Sequence, residues 1–179
     1  MIRSVLQLGN PLLRVPARAV SIGDDVPANE LITDLLDTVA ATKGVGIAAP
    51  QIGVSLQIIV IASGPNARYP DAPTVGPFAI INPIIQWLSD ETEKDWEGCL
   101  SIPGIRGLVT RSKQIRVLGG IFPSHKPVIM EYEGFAARVF QHEIDHLQGK
   151  LFIDRVESTL DLATEQEYAR IRLESGGTK

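Results

Sequence analysis

The feature that most constrains this chain's fold is its order of apolar periodicities. A helical repeat stands toward each end, and short β-branched runs fill the stretch between. Leu31, Leu35, Leu36 and Val39 recur at helical spacing. Asp24 and Asp25 suit the cap of a helix opening near Pro27, and the helix should stop near Lys43-Gly44 with glycine in the left-handed cap conformation. Gln57–Ala62 is a short β-branched run and reads as a strand. Ser63 to Pro77 reads as a loop, and Phe78 to Leu88 as a further strand region interrupted at Asn82-Pro83. Gln114–Leu118 and Val128–Tyr132 form a strand pair around a turn at Pro123-Ser124. A second helix is expected from about Phe135 to Gln148, ended by Gly149. Strands in the middle with helices at the flanks predict an α+β fold with a mostly antiparallel sheet.

The 179 residues are enough for one domain with its own core. The expected division is a single catalytic domain over 1–156 and a weakly helical C-terminal tail over 157–179. Net charge is −4 with no long basic run, which argues against a nucleic-acid partner. Cys99 stands alone, so no internal disulfide can form, which suits a reducing compartment. The N-terminal residues lack the apolar stretch of a signal peptide, and no run approaches the roughly 18 apolar residues of a membrane span. These readings predict a cytoplasmic protein without a membrane partner.

The strongest chemical signal is His142-Glu143-Ile144-Asp145-His146. Histidines at i and i+4 share one helix face, so both imidazoles can reach one metal ion. The glutamate between them sits where it can move protons for a metal-bound water. The bland alternative is two surface histidines with a chance glutamate. The predicted helix, with Phe140 and Leu147 nearby, weakens that alternative.

A catalytic site of this kind commonly has three protein ligands and one open position. The remaining soft donors include His125, in a Pro-Ser-His-Lys-Pro turn, and Cys99, in Glu97-Gly98-Cys99-Leu100-Ser101. An isolated cysteine is more often a small buried hydrophobe than a ligand, so the residues alone leave this choice open. A third segment, Gly44–Gly53, has two glycines one residue apart, as close backbone approach requires. It lacks the third glycine of a dinucleotide fingerprint and the Gly-Lys-Ser/Thr of a phosphate loop. Its bland reading is a tight turn into a small-residue strand. Gln51 is its one polar side chain able to donate to a substrate oxygen.

Together Gly44-Val45-Gly46-Ile47-Ala48-Ala49-Pro50-Gln51, Glu97-Gly98-Cys99-Leu100-Ser101 and Gln141-His142-Glu143-Ile144-Asp145-His146 resemble the peptide deformylase family. The likeness runs from about Val5 to Arg155 and weakens in the 63–77 loop and after Val156. It implies mostly antiparallel sheets around a central metal-binding helix, with an N-terminal helix. It also implies a hydrolase of protein biosynthesis that removes the formyl group from the formyl-methionine of newly made polypeptides. Cys99, His142 and His146 would hold the metal, and Glu143 would be the general acid/base. Gln51 and the Leu100 backbone N–H would bind the developing oxyanion, and Gly46 would hydrogen-bond the peptide backbone. Glu97 would orient His142. Val45, Phe135 and Val139 are the candidate walls of an apolar pocket for the methionine side chain; Phe135 and Val139 are i and i+4 on the metal-binding helix.

A Cys-His₂ set favours zinc on affinity grounds, whereas the resemblance implies ferrous iron, with nickel or cobalt as active substitutes. The implied partners are formyl-Met nascent peptides, with transient ribosome contact in addition. Some deformylases dock on the ribosome by a basic C-terminal helix. Here the tail carries five acidic residues (Glu157, Asp161, Glu165, Glu167, Glu174) and three basic ones (Arg170, Arg172, Lys179), which suits that poorly. Two other readings of the motifs compete with this one. A zinc endopeptidase would take its third ligand downstream, where no histidine follows and Glu157 is the nearest glutamate. A non-catalytic metal-binding relative would be expected to lack Glu143 or Gln51, and both are present.

Overall fold

The computed structural model describes the whole chain except residues 22–24, 67–68, 125 and 175–179, and no side chain in 22–27. Its elements are α1 (Asp25–Thr42), β1 (Gly46–Ala48), β2 (Ile58–Ser63), β3 (Val75–Leu88), β4 (Thr92–Cys99), β5 (Ile102–Ser112), β6 (Gln114–Ile121), β7 (Pro127–Glu133), α2 (Gly134–Leu147), β8 (Leu162–Thr164) and α3 (Glu165–Glu174). Every named strand pair is antiparallel, in a five-stranded sheet ordered β1-β2-β3-β6-β7 and a three-stranded sheet ordered β4-β5-β8. The α+β class and the central helix follow expectation.

Strand β2 shows why the larger sheet sits between the two long helices. Its run Ile58-Ile59-Val60-Ile61 is wholly buried. Alternate side chains point to opposite faces. Ile59 and Ile61 pack with Ala137, Phe140, Ile144 and Leu147 of α2. Ile58 and Val60 pack with Leu31, Ile32, Leu35 and Val39 of α1. A strand covered on both faces reads as a continuous apolar run rather than an alternating one. Phe140 is fully buried and stacks on Tyr132, with ring centroids 4.3 Å apart. Truncating a buried aromatic of this kind costs about 3–5 kcal/mol. The smaller sheet closes over Leu13, Val109, Leu151 and Phe152.

Helix α2 is buried from Ala136 to Leu147, so its polar residues are held inside the molecule. Gln141 anchors it laterally: its amide donates to Ser112 O at 2.9 Å and accepts from Ser112 N at 3.2 Å. This ties α2 to the end of β5. Gly149 follows the helix with φ of 69°, as the stop signal predicts.

Several local readings are corrected. The left-handed residue after α1 is Lys43 (φ 53°), not Gly44. A Cβ on Gly44 would lie 3.1 Å from Leu100 Cδ1 and 3.2 Å from Val39 Cγ2, so glycine serves close packing there. The expected cap residue Asp24 and the turn residue His125 lie outside the described residues. The loop predicted to reach Pro77 gives way to β3 at Val75. The expected break at Asn82-Pro83 is a bulge inside β3, with Asn82 at φ 50°. There the Asn82 side chain accepts from Val20 N at 2.8 Å and donates to Val20 O at 3.0 Å, tying the segment before α1 to the bulge. The β4–β5 hairpin was not read as strands at all. It alternates poorly because charged residues on β4 and β5 turn inward. Beyond residue 156, β8 pairs with β5 (Arg106 opposite Ala163) and α3 follows it directly.

Candidate metal centre and substrate cleft

Three elements deliver the site. Strand β4 ends at Cys99, α2 carries His142, Glu143 and His146, and the turn after β1 carries Gln51. One ligand atom from each of Cys99, His142 and His146 lies within 4.8 Å of the others. Cys99 Sγ is 3.3 Å from His146 Nε2. The sulfur also accepts from Ser101 N at 3.4 Å and Gln51 Nε2 at 3.5 Å. Donors converging on one buried sulfur suit a thiolate ligand. Burial pushes His146 well below the usual imidazole range, which keeps it in the neutral, ligating form. Among the described residues, Cys99 is the thiol that the fold brings to the histidine pair. Glu157 bonds Thr110 Oγ1 at 3.0 Å and is not in the donor group, so the downstream ligand of an endopeptidase has no counterpart there.

His142 is oriented from behind. Its Nδ1 lies 2.9 Å from Glu97 Oε2, which leaves Nε2 for a metal. Glu97 is itself held by two arginines that no motif or periodicity marks. Arg138 Nη1 donates to its Oε1 at 2.9 Å, and Arg111 grips both oxygens. Burial alone would raise the Glu97 pKa. The His142 hydrogen bond and the Arg111 charge instead hold it well below the ordinary carboxylate range. Arg111 also reaches Asp145, which Arg155 Nη2 contacts at 2.6 Å. Arg111 is scattered in sequence from every partner it meets, so only the alternation of an unpredicted strand could have revealed it.

Glu143 is buried and pushed by that burial up to about 7. Its Oε2 is one of two buried side-chain atoms without a hydrogen-bond partner among the described residues, the other being His146 Nδ1. A carboxylate left open beside Cys99, His142 and His146 fits a centre built for a metal and its reacting ligand. Gly46 makes this possible: a Cβ there would lie 2.6 Å from Glu143 Oε1. Gln51 is locked at both ends, its Oε1 accepting from Ala48 N at 2.8 Å and its Nε2 donating to Ser101 Oγ at 3.2 Å.

These groups open into one cleft of about 540 Å³ including its mouth. Gln51, Glu97, Cys99, Leu100, His142 and Glu143 are among its lining residues. Val45, Gly46, Phe135 and Val139 line it too; of the sequence-derived candidates, His146 alone is outside the lining and meets it through Cys99. Tyr69, Trp96 and Arg138 also line it and were not anticipated. Tyr69 sits in the 63–74 connection, where no periodicity marks a wall residue.

An α+β domain that gathers a Cys-His-His donor set beside a buried glutamate defines a metal-dependent hydrolase. The polypeptide deformylase family model matches residues 2–161. The chain belongs to that family, whose members remove the N-terminal formyl group from newly synthesised polypeptides. It is 49% identical over 172 residues to peptide deformylase 2 of a Nostoc species, covering 93% of each chain. It is 48% identical over 156 residues to peptide deformylase 1 of Bordetella pertussis, covering 87% of this chain and 88% of that one. Among solved structures, a class I type b peptide deformylase from Acinetobacter baumannii with Met-Ala-Ser bound superposes with a TM-score of 0.84 at 37% identity, covering 87% of this chain and 99% of that one. The Thermotoga maritima peptide deformylase superposes at 0.79 with 39% identity, covering 88% and 99%. Among the described residues no helix is long and apolar enough to cross a membrane.

Proposed function

We infer that this deformylase works through Cys99, His142 and His146 as ligands of one divalent ion, ferrous iron natively, with Glu143 as general acid/base. The observation that carries this reading is the convergence of the three ligand atoms beside the partnerless Glu143 carboxylate. When bound, the ion supplies Lewis acidity and lowers the pKa of water.

The chain's own residues supply the rest. A formyl-Met peptide enters with its amide at the inner end of the cleft, and the Gly46 backbone hydrogen-bonds it. Val45, Phe135 and Val139 receive the methionine side chain. As water adds to the formyl carbon, negative charge gathers on the former carbonyl oxygen. Gln51 Nε2, turning one N–H from its long 3.5 Å contact with Cys99 Sγ, and the Leu100 N–H donate to it there, in a site where burial strengthens each bond. Glu143 takes the proton of the attacking water and delivers it to the amide nitrogen. The C–N bond breaks, and formate and the free amine leave. A carboxyl with a pKa of about 7 is poised for both transfers near neutrality. Glu97 keeps His142 in the ligating orientation throughout. The Met-Ala-Ser peptide in the Acinetobacter baumannii relative supports a cleft that takes an extended N-terminal methionyl segment.

The same reading has nascent chains as substrate, in the cytoplasm, with the catalytic unit in 1–156 and contact with the ribosome only transient. The decisive experiment is metal analysis of anaerobically purified protein, paired with assays on formylated and free Met peptides. One ferrous ion per chain and release of formate alone are expected. Cleavage of internal peptide bonds, or full activity in Cys99→Ser with unchanged metal content, would overturn the assignment.

A further inference from the structure

Tyr69 and Trp96 line the cleft, yet neither stands on a helix as Phe135 does. Tyr69 packs on Phe135 with ring centroids 5.0 Å apart, and its hydroxyl accepts from Arg106 Nη1 at 2.7 Å. Trp96 meets Tyr168 edge-on at 5.4 Å. Both lines of support lead to α3.

Arg106 joins them. It is 1% exposed, and its guanidinium carbon lies 5.2 Å from the Tyr69 ring centroid and 5.0 Å from that of Tyr168. Its Nη2 and Nε donate to Glu165 Oε1 at 2.8 and 3.2 Å. The β5–β8 ladder sets Ile105 opposite Thr164, so Glu165 at the start of α3 is delivered beside Arg106 by strand register. Across the hairpin Arg106 faces Gly98, where a Cβ would lie 2.8 Å from Nη1. The side chain therefore crosses the sheet one residue before Cys99.

A buried ion pair is in general weak evidence of net stabilisation, since desolvation offsets the attraction. This one has a different distinction: the groups it fixes face the cleft. We propose that α3 is a specificity element, which through Arg106, Glu165 and Tyr168 positions Tyr69 and Trp96 and so sets the width of the pocket for the first side chain of the formylated peptide. Arg106 is a positioning residue in this arrangement. The proposal rests on the reading of the cleft as the methionine pocket. Strand β8 and α3 begin after residue 161, where the family match ends, so this wall is braced from outside the matched region.

The test uses the full-length metal-loaded protein with Glu165→Ala and Tyr168→Ala, both at partly exposed positions of α3. KM for a formyl-Met tripeptide should rise about three- to tenfold with kcat changed less than about twofold, and the formyl-Met over formyl-Phe preference should fall by about tenfold. Tyr168→Phe keeps the ring and should retain the parental preference. In a Trp87→Phe background Trp96 is the one remaining tryptophan, and its emission should shift in Tyr168→Ala but not in Tyr168→Phe. An unchanged preference in both alanine variants, with metal content and melting temperature preserved, would overturn the proposal. So would a fall in kcat at constant KM, which would place the effect at the metal centre. If the parent protein hydrolysed no formylated peptide, the deformylase reading would fail and take this proposal with it; an active parent with unaltered variants would sink the proposal alone.

Discussion

Arg111 holds Glu97 with two parallel hydrogen bonds, Nε to Oε1 at 2.9 Å and Nη2 to Oε2 at 3.0 Å. Only about 5% of either side chain is exposed. The planar fork of a guanidinium matches a carboxylate in a way that an ammonium cannot. Because Glu97 Oε2 also meets His142 Nδ1, this pair fixes the imidazole proposed as a metal ligand.

Removing Arg111 should therefore be costly. Arg111→Ala leaves Glu97 and Asp145 buried with less compensation, a loss of about 3–5 kcal/mol. In a chain of this size that lowers the melting temperature by about 6–20 °C. Calorimetry of the metal-loaded protein checks it. Arg111→Lys should recover only part of the loss, and full recovery would show that the fork geometry is immaterial.

Glu143→Ala should leave the metal bound and lower kcat by about 10²–10⁴. The side chain is not among the three converging ligands, and its Oε2 has no partner among the described residues. Metal content and kcat measured on the same preparation decide the matter. Activity within tenfold of the parent in a fully metallated variant would remove Glu143 from its role.

Gly46→Ala places a Cβ 2.6 Å from Glu143 Oε1 and 2.9 Å from its Cγ. Glu143 is 4% exposed and has little room to retreat. Displacing it by about 1 Å should cost about 10²-fold in kcat. Metal stoichiometry should stay at one per chain. Steady-state kinetics with parallel metal analysis separate this from loss of the ion.

Gln51→Ala should lower kcat by about 10²–10³, as loss of one oxyanion donor does. A change confined to KM would instead make Gln51 a ground-state binder. The same variant also frees Ala48 N and Ser101 Oγ from their bonds to Gln51, so a modest fall in stability should accompany it.

Val139→Phe enlarges a wall of the cleft beside His142. It should reduce the preference for formyl-Met over formyl-Ala peptides while the metal stays bound. A misfit of one methylene in an apolar pocket is worth about 1–3 kcal/mol, which sets the scale of the change in kcat/KM. Equal turnover of formyl-Met and formyl-Asp peptides by the parent would show that no apolar pocket governs specificity.

The sequence by itself determined what short-range chemistry can encode. The i and i+4 spacing of His142 and His146 puts both on one helix face, so the helix and the histidine pair were legible together. The alternating fates of Ile58 to Ile61 were implicit in a run too apolar for a one-sided strand. Three ordered motifs sufficed to mark Cys99, Gln51 and Glu97 by resemblance. Tertiary structure alone decided the rest, because the groups concerned are far apart in the chain. The β4–β5 hairpin was hidden because its inward positions carry arginine and glutamate, whose burial is tolerable only once Arg111, Arg138, Glu97 and Asp145 neutralise one another. Tyr69 and Trp96 line the cleft beside groups distant in sequence: Arg106 meets Tyr69 and Glu165, and Tyr168 meets Trp96. Periodicity reports which face of an element is apolar, but a buried charge is explained only by partners that the fold brings to it.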